Sequence, residues 1–269
     1  MESRTPRLST LSFVAHGMLA GVRLRSLLIV IPLFLLVFFP VIRALAAEDD
    51  AAIAMRLAEL LRSARTVISQ NQTLINDPGK GDKGLTGEKV TADTIALYLE
   101  KTGQDPREVD PATREGRLLS AQLEAIERVV AENQSTINAE GVGFKGFIPA
   151  VFARLVGEKF SENIGEQARI KVTAPEHLIR NRKARPDAWE SAIIEDHFSQ
   201  ASWPKGQPFS EPTETDGRAA FRLLVPEYYV RSCLACHGEP AGEMDITGYP
   251  KEGGHEGDLG AAISITLFQ

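Results

Sequence analysis

The chain has 269 residues, 43% of them hydrophobic, which is enough for one large domain or two small ones with a real core. Its formal net charge is −6 and is unevenly distributed: residues 1–46 carry five arginines against one glutamate, which leaves −10 for the remainder. So acidic a surface excludes nucleic acid as an expected partner, because nucleic acid binding needs basic patches.

Residues 1–46 are predicted to be a secretory signal. Residues 26–42 are uncharged and mostly aliphatic, two arginines precede them, and Ala44-Leu45-Ala46 supplies small residues for cleavage. The alternative is an uncleaved membrane anchor, for which this apolar segment is short. Either form exports the rest of the chain, so we expect a periplasmic protein, attached to the membrane in the second case.

The part from about 50 to 165 is predicted to be helical. A first helix opens at Asp49-Asp50 and ends at Asp77-Pro78-Gly79. A short helix is expected over 91–103, a third around Leu119 to Val130, and a fourth from Pro149, where proline suits the first turn. Apolar residues recur at helical spacing in the first of these: Ile53, Leu57, Leu60, Leu61, Ala64 and Ile68.

The part from about 166 to 269 is predicted to form a sheet. Strands are expected over 169–173, 219–225 and 261–268, and in the last of them apolar and hydroxyl residues alternate. The intervening stretch 175–212 is rich in proline and charge and is predicted to be irregular. Helices followed by antiparallel strands make an α+β fold.

A duplicated motif lies in the helical part. The segment 71–76 (NQTLIN) recurs at 133–138 (NQSTIN), and the segment 81–85 (GDKGL) recurs at 143–147 (GFKGF). Two equivalent helix ends would explain the repeat, with Asn and Gly serving as caps. The alternative hypothesis is that both loops, each with a lysine, face a common cavity or the edge of a cofactor.

The most informative segment is Cys233-Leu234-Ala235-Cys236-His237, which contains both cysteines of the chain. This C-x-x-C-H pattern is typical of covalent c-type haem attachment. The thiols of Cys233 and Cys236 would bond the two vinyl groups of one haem, and His237 would bind the iron axially. Less favoured alternatives are a thioredoxin-type redox pair, a structural zinc site that lacks a second ligand pair, and a strained local disulfide.

Five further residues are expected near the haem. His255 or Met244 is a candidate sixth iron ligand, and their other interpretations are an exposed loop histidine and a packing methionine. Thiolate ligation of the iron is excluded because the chain has no third cysteine, and an open sixth position would let a small gas bind. Arg180 and Arg182 belong to a basic run that would pair with haem propionates or be solvated. Tyr229, just before the motif, would wall the haem pocket.

These segments together resemble a known family, the exported PAS-like c-type haem domain, formerly a domain of unknown function. The resemblance rests on 71–84, on Arg180-Asn181-Arg182 with 185–190, on 233–238, and on 245–259, and it covers the chain from about residue 50. It implies a PAS-like antiparallel sheet flanked by helices, one covalent haem c, and redox or gas sensing, often as an input domain of signalling proteins.

The function expected from the sequence is therefore a periplasmic mono-haem c-type protein that senses redox state or a small gas. The chain stops at the last strand, so such a sensor would have no output domain and would signal through an unidentified redox or signalling partner. The alternative is a c-type cytochrome that carries electrons. No catalytic residue is predicted, and an enzyme is the less favoured interpretation. Pairing of two subunits through the long first helix is left open.

Overall fold

The computed structural model describes residues 49–269, which belong to one compact unit, Ala47–Gln269. The predicted signal, 1–46, lies outside the described residues. None of the helices described is long and apolar enough to cross a membrane.

Six helices form the first half of the described chain. Their bounds are α1 (49–70), α2 (Gln72–Ile75), α3 (Gly87–Thr102), α4 (Arg114–Glu132), α5 (Gln134–Ile137) and α6 (Pro149–Ile164). Side-chain oxygens cap two of them: Thr86 accepts from the Lys89 amide at the start of α3, and Thr113 accepts from the Gly116 amide at the start of α4. Helix α3 ends at Gly103, which has a left-handed φ of 73°.

Four strands form one antiparallel sheet in the order β1-β4-β3-β2. Their bounds are β1 (Ala168–Thr173), β2 (Phe209–Thr215), β3 (Arg218–Tyr228) and β4 (Leu259–Phe268). The α+β layout expected from the sequence is therefore confirmed. Strand β2 begins inside the stretch predicted to be irregular. It contains Pro212, which an edge strand tolerates because a proline there removes no essential ladder bond.

The sheet is covered on both faces. On one face, Phe221, Leu223, Val225, Ile263 and Ile265 join the large core that the helices build. On the other face, Leu224 and Ala262 pack with a smaller cluster from 189–209. The alternation of these residues along β3 and β4 sends neighbouring side chains to opposite faces, as a pleated strand requires.

The segment 188–198 that covers the second face is also ordered, contrary to the irregular structure predicted there. Helix α7 (Ala188–Ile193) begins with a reciprocal capping box between Asp187 and Glu190 and continues into a π-helical turn, Ile194–Phe198. Buried Glu190 also accepts from the Lys171 ammonium, 2.6 Å away. The charges that suggested an irregular segment thus serve to fix a helix against the sheet.

Candidate haem site

The C-x-x-C-H motif lies in the long connection between β3 and β4. A 3-10 turn (Arg231–Cys233) leads into the single-turn helix α8 (Leu234–His237), and both cysteines are free and half-buried. The amide of Gly238 closes the turn on the Leu234 carbonyl, 2.9 Å away. Residues three apart in a helical turn share one face, so the backbone sets both thiols on the same side.

His237 is held in one orientation by two contacts. Its ring stacks on Tyr229, with centroids 5.0 Å apart and planes 20° apart. Its Nδ1 lies 2.9 Å from Oε2 of Glu252. A carboxylate at Nδ1 stabilises the tautomer with the proton on that nitrogen, which leaves Nε2 as a free electron pair for a metal.

Arg180 lies more than fifty residues before the motif in sequence and holds the site together by hydrogen bonds. Its five N–H groups are all used: Nε and Nη2 donate to Glu252, Nη1 donates to Asp245 and Thr247, and Nη2 also donates to the Cys236 carbonyl. The guanidinium therefore ties the backbone of the motif to the carboxylate that orients His237. It is a bidentate arrangement that lysine could not reproduce.

The two carboxylates beside Arg180 are ionised in this setting. The Asp245 side chain is fully buried, and burial alone would raise its pKa. Hydrogen bonds from Thr247, Arg180 and two backbone amides outweigh burial and hold the Asp245 pKa well below its ordinary range. Burial likewise opposes ionisation of Glu252, but hydrogen bonds from Arg180 and His237 lower its pKa overall.

Tyr229 lies in a slot formed by two glycines. A Cβ at Gly254 would come within 2.7 Å of the tyrosine ring, and one at Gly260 would overlap it. The ring is 7% exposed, and its hydroxyl is buried without a hydrogen-bond partner among the residues described. Burial, followed by the charge of Glu252, raises the pKa of Tyr229 to about 12. An orphaned buried hydroxyl is costly and suggests that a bound group completes the site.

Exposed apolar side chains lie close to the motif in sequence, and together they are called the apolar surface below. Of the described large hydrophobic side chains that are exposed, four lie within 230–249: Val230, Met244, Ile246 and Tyr249. The faces of a porphyrin ring are apolar and need such a surface. Two thiols, a free imidazole nitrogen, an orphaned hydroxyl and this apolar surface together fit a covalently bound haem.

The remaining predicted site residues differ in their placement. His255 follows Gly254, whose amide is bonded to the His237 carbonyl, but its ring is 71% exposed. Met244 is 60% exposed and belongs to the apolar surface. Arg182 is exposed and forms no side-chain hydrogen bond within 49–269, whereas the donors of Arg180 are all taken by protein groups. In that part of the chain no three His, Cys, Asp or Glu side chains are arranged to hold a metal ion.

Sequence reasoning missed the residues that orient His237. Glu252 and Asp245 lie in segments that carried the family resemblance, but nothing in their local pattern gave them a role. Their partner Arg180 is 65 and 72 residues away, so only the folded chain brings the three together.

The fold and the site together define a small α+β protein with a C-x-x-C-H motif on the connection between two sheet strands. Residues 106–267 match the Tll0287-like family, and the chain belongs to that family. The matched region runs from before α4 to the penultimate residue of β4 and includes every residue of the site described above. No curated protein and no solved structure gives a significant match.

Proposed function

We propose that this protein binds one covalent haem c and senses redox state or a small gas. Cys233 and Cys236 would hold the haem and His237 would bind its iron. The carrying observation is the pairing of His237 Nδ1 with Glu252, which leaves the Nε2 electron pair available to a metal. Haem supplies one-electron chemistry and, where one axial position is open, binding of a small diatomic gas.

The protein's own residues would set how that haem behaves. Glu252 orients the axial imidazole and makes it more basic, while Arg180 keeps Glu252 ionised and fixes the motif backbone. The apolar surface around Val230, Met244 and Ile246 would exclude water from the ring. His255 or Met244 remains our candidate for the sixth ligand, since both lie on the same connection.

Location and fold complete the proposal. We propose that residues 1–46 export the chain to the periplasm, because c-type haem is attached outside the cytoplasm to reduced thiols. We also propose that the sheet and its helices form a PAS-like sensor domain that acts on a redox or signalling partner. Electron transfer is the second candidate, favoured by the partial exposure of both cysteines, which would leave a haem edge accessible to another redox protein.

The test is spectroscopic. The full chain, produced with haem-maturation machinery, should give a c-type pyridine haemochrome that survives acid-acetone extraction, and the double variant C233S/C236S should lose it. A shift of the reduced bands by carbon monoxide supports gas sensing, and no shift supports redox sensing or electron transfer. A wild-type protein that takes up no haem would overturn the proposal.

A further inference from the structure

The duplicated motif builds a second site that contains none of the haem-motif residues. Helices α2 and α5 occupy matching positions in the two repeats. Side chains of each repeat form hydrogen bonds with backbone groups in the loop of the other. The Asn138 side chain accepts from the Lys83 amide, and the Asn76 side chain accepts from the Lys145 amide. Gln134 donates to the Leu85 carbonyl and Gln72 donates to the Phe147 carbonyl.

These reciprocal hydrogen bonds bring the side chains of Lys83 and Lys145 to the same carbonyl group. Lys83 Nζ donates to the Asp77 carbonyl oxygen at 3.0 Å, and Lys145 Nζ donates to the same oxygen at 3.2 Å and to the Val142 carbonyl at 2.7 Å. Both residues are more than nine-tenths buried. Of six ammonium N–H groups, three have an acceptor within the described chain.

The local charge is not balanced by the protein. Neither ammonium forms an ion pair with a carboxylate of residues 49–269, and the charge of Asp77 acts on Lys145 only from a longer distance. Burial, and next the neighbouring charge of Lys83, lower the pKa of Lys145. Two buried cations with one distant carboxylate leave room for one negative charge.

An open cleft of about 310 Å³ lies against Lys145, and Lys83 stands behind it without lining it. Its lining combines one cation, two hydroxyl groups and three apolar side chains: Lys145, Ser135, Thr136, Ala139, Val142 and Phe144. Neither hydroxyl forms a hydrogen bond within the part of the chain that is described. Such a lining matches a small molecule with an anionic end and an apolar body.

We propose that Lys145, with the adjacent positive charge of Lys83 behind it, binds a small organic carboxylate in this cleft. The carboxylate would accept from a free N–H group of Lys145 and from the hydroxyl of Ser135 or Thr136, and its hydrocarbon part would lie against Val142 and Phe144. A monoanion matches the single unbalanced charge better than a dianion does. The site uses no haem-motif residue, so it stands or fails independently of the haem.

The test uses the full chain, with or without haem, and sodium propionate as the probe, and binding is followed by calorimetry and by thermal unfolding at constant ionic strength. Saturable binding and a rise in Tm relative to sodium chloride are expected, since a ligand of the native state stabilises it. K83M and K145M should each weaken binding at least tenfold. The control K89M removes an exposed lysine of α3 and should leave binding unchanged.

Three results would contradict the proposed carboxylate site. If the lysines only cap carbonyl groups, propionate will not raise Tm and the wild type will show no saturable binding. Equal loss in K89M would indicate general ionic attraction, and tighter binding of inorganic phosphate than of propionate would overturn the assignment to a carboxylate. A wild-type Tm that propionate does not raise would overturn the proposal even if K83M or K145M fails to fold.

Discussion

Glu252 would set the basicity of the imidazole that binds the proposed haem. Its carboxylate lies 2.9 Å from His237 Nδ1 and is itself held by two hydrogen bonds from Arg180. An ionised acceptor at Nδ1 increases the electron density at Nε2, which stabilises ferric over ferrous iron. The same residue therefore fixes both the direction of the imidazole and its basicity.

Replacing this acceptor should raise the reduction potential. We expect Glu252→Gln to shift the ferrous-to-ferric ratio at a fixed potential about tenfold, which for one electron corresponds to about 59 mV. Spectroelectrochemical titration measures the shift, and the matched control is Glu239→Gln, which changes an exposed carboxylate near the motif. Similar potentials for E252Q and the wild type would show that Glu252 does not act on the iron ligand.

Asp245 should be important for stability at neutral pH. Asp245→Asn leaves part of the buried Arg180 charge unpaired, which should lower the free energy of unfolding by about 3 kcal/mol at pH 7. Because folding lowers the Asp245 pKa, its contribution is present above its unfolded pKa of about 3.9 and declines as pH falls through the folded value. Denaturation of the wild type and Asp245→Asn should show a smaller difference in free energy of unfolding at pH 3 than at pH 7. An equal difference at both pH values would contradict this account.

At the scale of elements, β4 and the motif are coupled through the tyrosine slot. Gly260 lies on β4 and Gly254 lies on the connection, and both are close to the Tyr229 ring. The ring in turn stacks on His237. A glycine on a sheet strand is therefore needed here because of a close approach, not because of a turn.

Gly260→Ala should displace Tyr229 and destabilise the protein by about 1–3 kcal/mol, the usual effect of overpacking. Its matched control is Gly143→Ala, since a Cβ there meets no atom within 4 Å. Chemical denaturation of both variants measures the difference. Equal stability of the two variants would mean that the ring moves freely and that the slot does not fix it.

At the scale of the whole molecule, the first helix and the last strand are joined by one ionic network. Arg114 donates to the Asp50 carboxylate at 2.6 Å and to the Phe268 carbonyl at 2.7 Å, and Gln269 donates to the other oxygen of Asp50. The Asp50 side chain is 4% exposed. Breaking this pair would leave a buried charge without its partner.

We expect Arg114→Met to lower the free energy of unfolding by about 3 kcal/mol. The control is Arg128→Met, which removes an exposed pair within one helix and should cost no more than about 0.5 kcal/mol. Urea unfolding at neutral pH compares them. A similar small loss in both would assign the stability of this end of the molecule to apolar packing alone.

The elements that could be predicted are those whose apolar pattern lies within a single stretch of sequence. The apolar spacing in 53–68 and the alternation in 261–268 define a helix and a strand by themselves, and both lie in the core. Strand β2 was not predicted, because its polar residues and Pro212 are typical of a loop and become a strand only beside β3. The helix at 188–193 was not predicted, because its segment is rich in charge. These charges pair with residues of the sheet, as Glu190 does with Lys171 of β1.

The candidate site was predictable to a similar extent. The motif gives Cys233, Cys236 and His237 at once, because their chemistry depends on local spacing. The carboxylates and the guanidinium that orient His237 could not be found in this way, since their relation arises from the crossing of distant segments. The orphaned hydroxyl of Tyr229 likewise becomes visible only when its surroundings are known.

The reciprocal hold between the two repeats has a consequence for folding. Each loop amide finds its acceptor in the opposite repeat, so neither repeat can satisfy its own backbone when the other is unfolded. The two halves of the helical part should therefore open as a single cooperative unit, and the amides of Lys83 and Lys145 should exchange with solvent with the same free energy of opening. Because of the duplication, each repeat therefore depends on the other for its stability.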